Sequence, residues 1–405
     1  MLLLLAACDP YAAWPAEGSY FPYVYTAETD LPTYADTRWE TETWTPADDP
    51  DQLAKYIQKA ALHRTGAPDE SLLHFESMRD ELSALAPGTS ASFVGDVMWL
   101  GENWSNFAFP AGDLLHGNVR VGNLETPTDP SQSTEESALG TYAFNAPTEI
   151  YDSLPLDLLQ LNNNHTLDAG NEGIVATMAA ATGRGFQTTG IDGHAVIDGT
   201  AFLSYTWGLN VRDIPPEHDV FIVPFGHLDE DIDLSGVATD IATAKSAGAD
   251  SVVLLLHWGY EYEYYPDPHF MVLARELISL GADLIVGSGP HVVQPAEVCH
   301  VNDPARVPGV GTCSLRTDDG QPRTAAILYS LGNFGTKMAT PQCQAGIVAS
   351  ATLGPDVTGL SWEAAATVDG ENGREIRPLG ELLTDATWDG ESARLDAHLG
   401  SGWRE

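Results

Sequence analysis

From about residue 92 onward, apolar residues come in short runs, and several runs end on a polar group. Phe93-Val94 stops at Gly95 and Asp96. Val119–Leu124 stops at Glu125. The run 156–161 stops at Asn162-Asn163-Asn164-His165. Ser251–Leu256 stops at His257, and Asp283–Val286 leads through Gly287-Ser288-Gly289-Pro290 to His291. Short apolar runs bounded by turn residues predict strands buried on both faces. Between them lie stretches of helical character, about 171–182 (ended near Gly183 and Gly185), 235–247 and 269–280 (stopped by Gly281). Further apolar runs fall at Ala201–Tyr205 and 220–224. The alternation predicts an α/β fold with helices on the sheet faces. After Thr324 the chain turns β-rich, at 325–331, 345–353 and 358–366. These late runs predict a second sheet packed on the first.

The ends of the chain are patterned differently. Residues 51–86 read as helical, with Leu53, Tyr56, Ile57 and Ala60 in one stripe and Leu72, Leu73, Phe75, Met78, Leu82 and Leu85 in a second. Pro87-Gly88 ends them. Residues 9–50 are rich in Pro, Thr, Asp, Tyr and Trp and keep no period, as a linker would. Met1–Cys8 is an apolar run, two small residues and a cysteine. It resembles the lipobox of a bacterial lipoprotein signal, which makes Cys8 the expected lipidation site. The run is short and no basic residue precedes it. No run reaches 18 apolar residues, so the expected membrane attachment is a lipid anchor only. The division is therefore 1–8 signal remnant, 9–50 linker, 51–88 helical extension, 89–370 main domain and 371–405 polar tail.

Charge narrows the partners. The 405 residues hold 18 Lys and Arg against 58 Asp and Glu, a net charge of −40. That argues against nucleic acid, whose phosphates need a basic surface, and against electrostatic attachment to anionic lipid. An acidic surface suits a salty or extracellular medium. Besides Cys8 there are Cys299, Cys313 and Cys343. In an oxidising envelope Cys299 and Cys313 would close a small loop and leave an odd thiol. Three buried free thiols are the alternative.

The strand-end groups carry the chemistry. Divalent metals take carboxylate, imidazole and amide oxygen ligands, and Asp96, Glu125, Asn164, His257 and His291 supply that set. Ligand groups gather at the carboxyl ends of strands in open α/β sheets. Singly, each has a blander reading as a turn, cap or hydrogen-bonded core residue. Five such groups in one setting point to a metal site. His165 directly follows Asn164 in the same turn. Asp168, three residues on, either orients that imidazole or caps the following helix. Trp258 and the following Tyr260, Tyr262, Tyr264 and Tyr265 either rim a pocket or pack as a loop on the domain edge. Asn333, in Leu331-Gly332-Asn333-Phe334, either bonds near the site or shapes the turn.

Several motifs follow one another in order: Phe93-Val-Gly-Asp-Val-Met98, Gly122-Asn-Leu-Glu-Thr-Pro127, Asn163-Asn-His165 with Asp168-Ala-Gly170, His257-Trp-Gly-Tyr-Glu261, Pro290-His-Val292 with Gln294-Pro295, and Tyr329-Ser-Leu-Gly-Asn-Phe334. Together they resemble the CapA-like poly-γ-glutamate capsule synthesis proteins, within the metallophosphatase (calcineurin-like phosphoesterase) superfamily. The resemblance covers roughly residues 90–350. It implies a four-layer α/β/β/α sandwich and a dinuclear centre of Mn, Fe or Zn. It also implies Asp96, Glu125, Asn164, His257 and His291 as ligands and His165 as general acid. Two positions depart from the superfamily. Met98 stands where a histidine usually follows the first aspartate, and Gly289 replaces the first histidine of the final pair. Glu261 or a water is the candidate to fill that gap.

Two functions follow. The first is a cell-envelope metal-dependent hydrolase acting on a phosphoester or amide bond, in an envelope polymer or a small substrate. The second is a non-catalytic factor that binds, retains or exports a capsule polymer. The charge of −40 gives a polyanion no long-range attraction, although screening limits repulsion to about 8 Å at ~0.15 M salt.

Overall fold

The computed structural model describes residues 69–98, 110–135, 143–211, 216–223, 232–266, 268–306, 313–336, 338, 340–370 and 373–404. Cys8, the linker 9–50 and the helical stripe of 51–68 lie outside the described residues. The described chain opens with helix α1 (Asp69–Ser83). Strands β1 (Ala91–Val97), β2 (Val119–Leu124), β3 (Leu158–Gln160) and β4 (Gln187–Thr189) follow, with α2 (Gly170–Gly183) between the last two. Next come β5 (Ala195–Ile197), β6 (Thr200–Thr206), α3 (Ser235–Ser246), β7 (Ser251–His257), α4 (Pro268–Ser279), β8 (Leu284–Ser288), β9 (Ala296–Val301), β10 (Cys313–Leu315) and β11 (Arg323–Leu328). The chain closes with β12 (Ala345–Thr352), β13 (Gly359–Gly370), β14 (Gly373–Pro378) and α5 (Asp389–Leu399).

The strands form two seven-stranded sheets. The first has the order β14-β13-β12-β1-β2-β3-β4 and the second β10-β9-β11-β8-β7-β6-β5. The second sheet is therefore not made by the late runs alone. β11 lies in it, but β12 and β13 return to the first sheet, where β12 pairs antiparallel with β1. The reason lies in face parity. Ala345, Ile347, Ala349 and Ala351 of β12 enter the same inter-sheet core as Ala91 and Phe93 of β1.

Period-two alternation sorts the side chains into layers. Val253 and Leu255 of β7 lie in the core between the sheets, whereas Val252, Leu254 and Leu256 pack outward with residues of α3 and α4. On the first sheet Val94, Leu124 and Leu159 pack outward with Ile174 of α2. This is the four-layer α/β/β/α sandwich. Each fully buried Val or Leu stabilises it by about 1.5–3 kcal/mol relative to exposure. A Cys299–Cys313 disulfide joins the paired strands β9 and β10, and Cys343 is a buried free thiol. The described part of the polar segment, 373–404, is packed against the domain. It supplies β14 and α5, whose Leu395 and Leu399 are buried in the inter-sheet core. Among the described residues no helix is long and apolar enough to cross a membrane.

Candidate metal centre

A bulge in β1 aims the first ligand. Alternation would put Asp96 on the same face as Val94, away from the second sheet. The pairing of β1 with β2 shifts register between Val94 and Asp96, so Gly95 is the extra residue. Val94 and Val97 consequently share the outer core, and Asp96 turns inward. Only glycine fits here, since a Cβ at Gly95 would lie 1.8 Å from the Gly332 carbonyl oxygen. Asn123 on β2 donates to Asp96 Oδ1 at 2.7 Å, and Asn163 donates to Asn123 Oδ1 at 3.1 Å. Glu125, two residues past Asn123, emerges from the same face.

The second sheet brings the imidazoles. His257 ends β7 on its inner face, with Nε2 3.5 Å from Glu125 Oε1. Nδ1 of His257 lies 3.1 Å from Ser288 Oγ and 3.3 Å from Asn123 Nδ2. His291 follows β8 on a loop. Its Nδ1 is 3.3 Å from Asp96 Oδ2, 3.8 Å from Glu125 Oε2 and 3.0 Å from Asn333 Oδ1. This loop and the one after β7 are strained. His291 has φ +59° and Tyr262 φ +63°, conformations that cost roughly 1–3 kcal/mol each in non-glycine residues. Gly289, at φ +108°, donates its N–H to Asp96 Oδ2 at 3.1 Å. A Cβ there would meet the Trp258 carbonyl oxygen at 2.9 Å, so this backbone does not accept the superfamily's histidine.

All these groups are buried, and their charges are coupled. Burial alone would raise Asp96, but the hydrogen bond from His291 and the nearby imidazoles hold it below the usual carboxylate range. Burial pushes Glu125 well above that range, and the Asp96 charge adds to the rise. Burial pushes His257 down to about 4, against the opposite pull of Asp96. Burial also opposes charge on His291, yet Glu125 and Asp96 outweigh it and raise this imidazole to about 10. Without a cation, a protonated His291 is the countercharge for Asp96.

The donor set fits a divalent ion. Single ligand atoms of Asp96, Glu125 and His291 lie within 4.8 Å of one another. Both carboxylate oxygens of Glu125, and Oδ1 of Asn164, are buried and accept no hydrogen bond from the described residues. Buried acceptors normally find a donor, so the two Glu125 oxygens, which lie within the cluster, are available to a cation.

Beside the cluster, His165 Nδ1 lies 2.6 Å from Asp168 Oδ2, and that oxygen also accepts the Phe144 N–H at 2.8 Å. Helix α2 has no side-chain cap, so orienting His165 is the role Asp168 fills. Burial raises Asp168, with His165 pulling against it. Phe144 stacks on the His165 ring with centroids 4.1 Å apart, and Asn210 Nδ2 sits 3.5 Å from its Nε2.

The expected residues fare differently. Asp96, Glu125, His257 and His291 meet. Asn333 bonds His291 and also donates to the Cys343 carbonyl at 2.7 Å, so it serves both site and turn. Glu261 Oε1 lies 4.0 Å from His291 Nε2, at the margin. Trp258 is 1% exposed in the outer core of the second sheet, its indole N–H donates to the Tyr329 carbonyl, and it lines a small cleft with Tyr260 and Tyr265. Met98 is buried in an apolar cluster with Tyr262, Val292, Met338 and Cys343. Asn123, Asn163, Ser288 and Phe144 were not expected. Asn123 was findable, since it sits two residues before Glu125 and so shares its face.

The profile described as "Bacterial capsule synthesis protein PGA_cap" matches residues 90–338, more than half of the chain. The chain belongs to this family. It is 28% identical over 280 residues to "PGA biosynthesis protein CapA" of Bacillus subtilis (strain 168), covering 60% of this chain and 62% of the relative. It is 36% identical over 90 residues to "Capsule biosynthesis protein CapA" of Bacillus anthracis, covering 22% and 16%. A "Probable polyglutamine synthesis accessory protein" of Mycobacterium tuberculosis is 27% identical over 162 residues, covering 34% and 40%. The chain thus spans less than two thirds of the length of these curated relatives.

Proposed function

We propose that this PGA_cap member is a metal-dependent hydrolase of the cell envelope that cleaves a phosphoester or amide bond in a capsule or wall polymer. The observation that carries the reading is Glu125, a carboxylate fully buried between Asp96 and two imidazoles with neither oxygen hydrogen-bonded. Such a group is costly unless a cation balances it. Asp96, Glu125, His291 and His257 would hold a divalent ion, with the Asn164 carbonyl oxygen as a further ligand. A bound ion would polarise the scissile group and lower the pKa of an attached water. His165, fixed by Asp168 and Phe144, would deliver a proton to the leaving group through Nε2, the ring nitrogen that Asp168 leaves open. Cys8 would tether the chain to the membrane through lipid. Met98 and Gly289 supply no nitrogen ligand, which favours one tightly held ion over two. It also supports the second reading, a factor that binds capsule polymer without cleaving it.

The test begins with metal content. The chain from Asp9 onward, purified without chelator, is expected to carry Mn, Fe or Zn by elemental mass spectrometry. Asp96→Asn and His257→Ala should lose it. A folded parent that stays metal-free after added manganese or zinc sinks the hydrolase. With metal present, phosphoester and γ-glutamyl substrates are screened. His165→Ala should then keep its metal and lose about 10²–10⁴-fold in turnover. A metal-loaded parent that binds polymer and turns over no substrate favours the second reading.

A further inference from the structure

Helix α5 lies outside the family segment, yet it reaches the loops of the centre through Arg394. This side chain is 11% exposed. Its Nη1 donates to the Val293 carbonyl at 2.7 Å, two residues past His291. Its guanidinium lies over the Tyr264 ring, 4.2 Å from the centroid and three residues past Glu261. Its remaining nitrogens bind both carboxylate oxygens of buried Glu391, one turn back in α5. One planar group therefore touches both loops and is itself held by a fixed partner.

Those loops need holding. Tyr262 and His291 both sit in the left-handed region, and such backbone persists only where its surroundings over-determine it. The loops bind each other, through Tyr262 N–H to the Pro290 carbonyl at 2.9 Å and Gln294 Nε2 to the Glu263 carbonyl at 2.7 Å. Ser330 Oγ donates to the Val292 carbonyl at 2.8 Å. Arg394 takes the next carbonyl along. A lysine could satisfy Val293 or Glu391, but it lacks the planar fork that bonds both and stacks on Tyr264.

We propose that Arg394 is a positioning residue for the metal centre. It fixes the Glu261–Tyr264 and His291–Val293 loops so that His291 meets Asp96 and Glu125. This rests on the metal reading above.

The test uses the full chain. Arg394→Ala would strand the Glu391 charge in the interior and risks unfolding. The double variant Arg394→Met with Glu391→Leu replaces the pair by apolar side chains. Leu395→Ala, the next residue of α5 and fully buried in the inter-sheet core, controls for lost stability alone. Two quantities are measured: manganese and zinc affinity by calorimetry, and amide hydrogen exchange without metal. The double variant should bind metal about tenfold or more weakly. Exchange at 261–264 and 291–294 should speed up while β7 keeps its protection. Arg394→Lys should fall between parent and double variant. Leu395→Ala should lower the melting temperature and leave affinity unchanged. Parental affinity in the double variant, or exchange that rises evenly over the sheet, overturns the proposal. If the parent binds neither metal, the metal reading fails separately. Exchange then decides whether Arg394 fixes the loops: faster loops in the double variant retain that role, and unchanged loops remove it.

Discussion

Asp96, Asn123 and Glu125 stand on or just past paired strands of the first sheet, while His291 and Glu261 stand on loops beyond the second. The first group is held by strand register, one bulge and a chain of amide bonds from Asn163 through Asn123 to Asp96. The second is held by backbone in left-handed conformations, by glycine at 289 and by contacts from distant parts of the chain. Regular structure places a ligand wherever the ladder puts it. A loop places one where a ladder cannot, and needs outside support to do so. His257 falls between, strand-borne and already neutral.

Three measurements can break or sharpen that contrast. The largest effect is expected at Gly95→Ala. The new Cβ collides with backbone that cannot yield, and the loss should exceed about 4 kcal/mol in urea denaturation, or leave no folded protein. A variant within about 1 kcal/mol of the parent would show that the bulge is not needed. Gly289→Ala should cost less, about 1–3 kcal/mol, because the contact at 2.9 Å is looser and a loop can shift. Equal losses at the two glycines would erase the distinction between ladder and loop. The smallest effect is a pH slope. His291 is raised to about 10, so it holds a proton near neutrality that a cation must displace. Metal affinity should therefore rise with pH, about tenfold per unit for each proton displaced. His257, pushed down to about 4, adds nothing to the slope above about pH 5. Calorimetry between about pH 6 and 8 checks this, and a flat affinity would contradict the charge assignment.

Much of the strand-borne half was legible in the sequence. Phe93-Val94 followed by Gly95-Asp96, and Val119–Leu124 followed by Glu125, announce a strand with a polar group at its end. The inward turn of Asp96 was not legible, because a bulge depends on the pairing partner. The choice between Asn163 and Asn164 was equally hidden, since adjacent asparagines differ only in where the turn points them. The sequence pattern does not assign β12 and β13 to their sheet, because a strand's own residues do not say which edge it completes. On the loop side, His291 was found by its place after β8. The burial of Trp258 and the reach of Arg394 were not, as both depend on contacts made far along the chain.

β1 owes one of its two neighbours to β12, with Ala91 opposite Ala351. During synthesis, the strand that carries Asp96 therefore waits with one edge bare until residues beyond 345 have emerged. Pairings that distant form slowly, and an open edge is a template for aggregation. A chain cut short before residue 345 would leave Ala91–Phe93 unpaired on that side, with an adhesive edge in the place of β12.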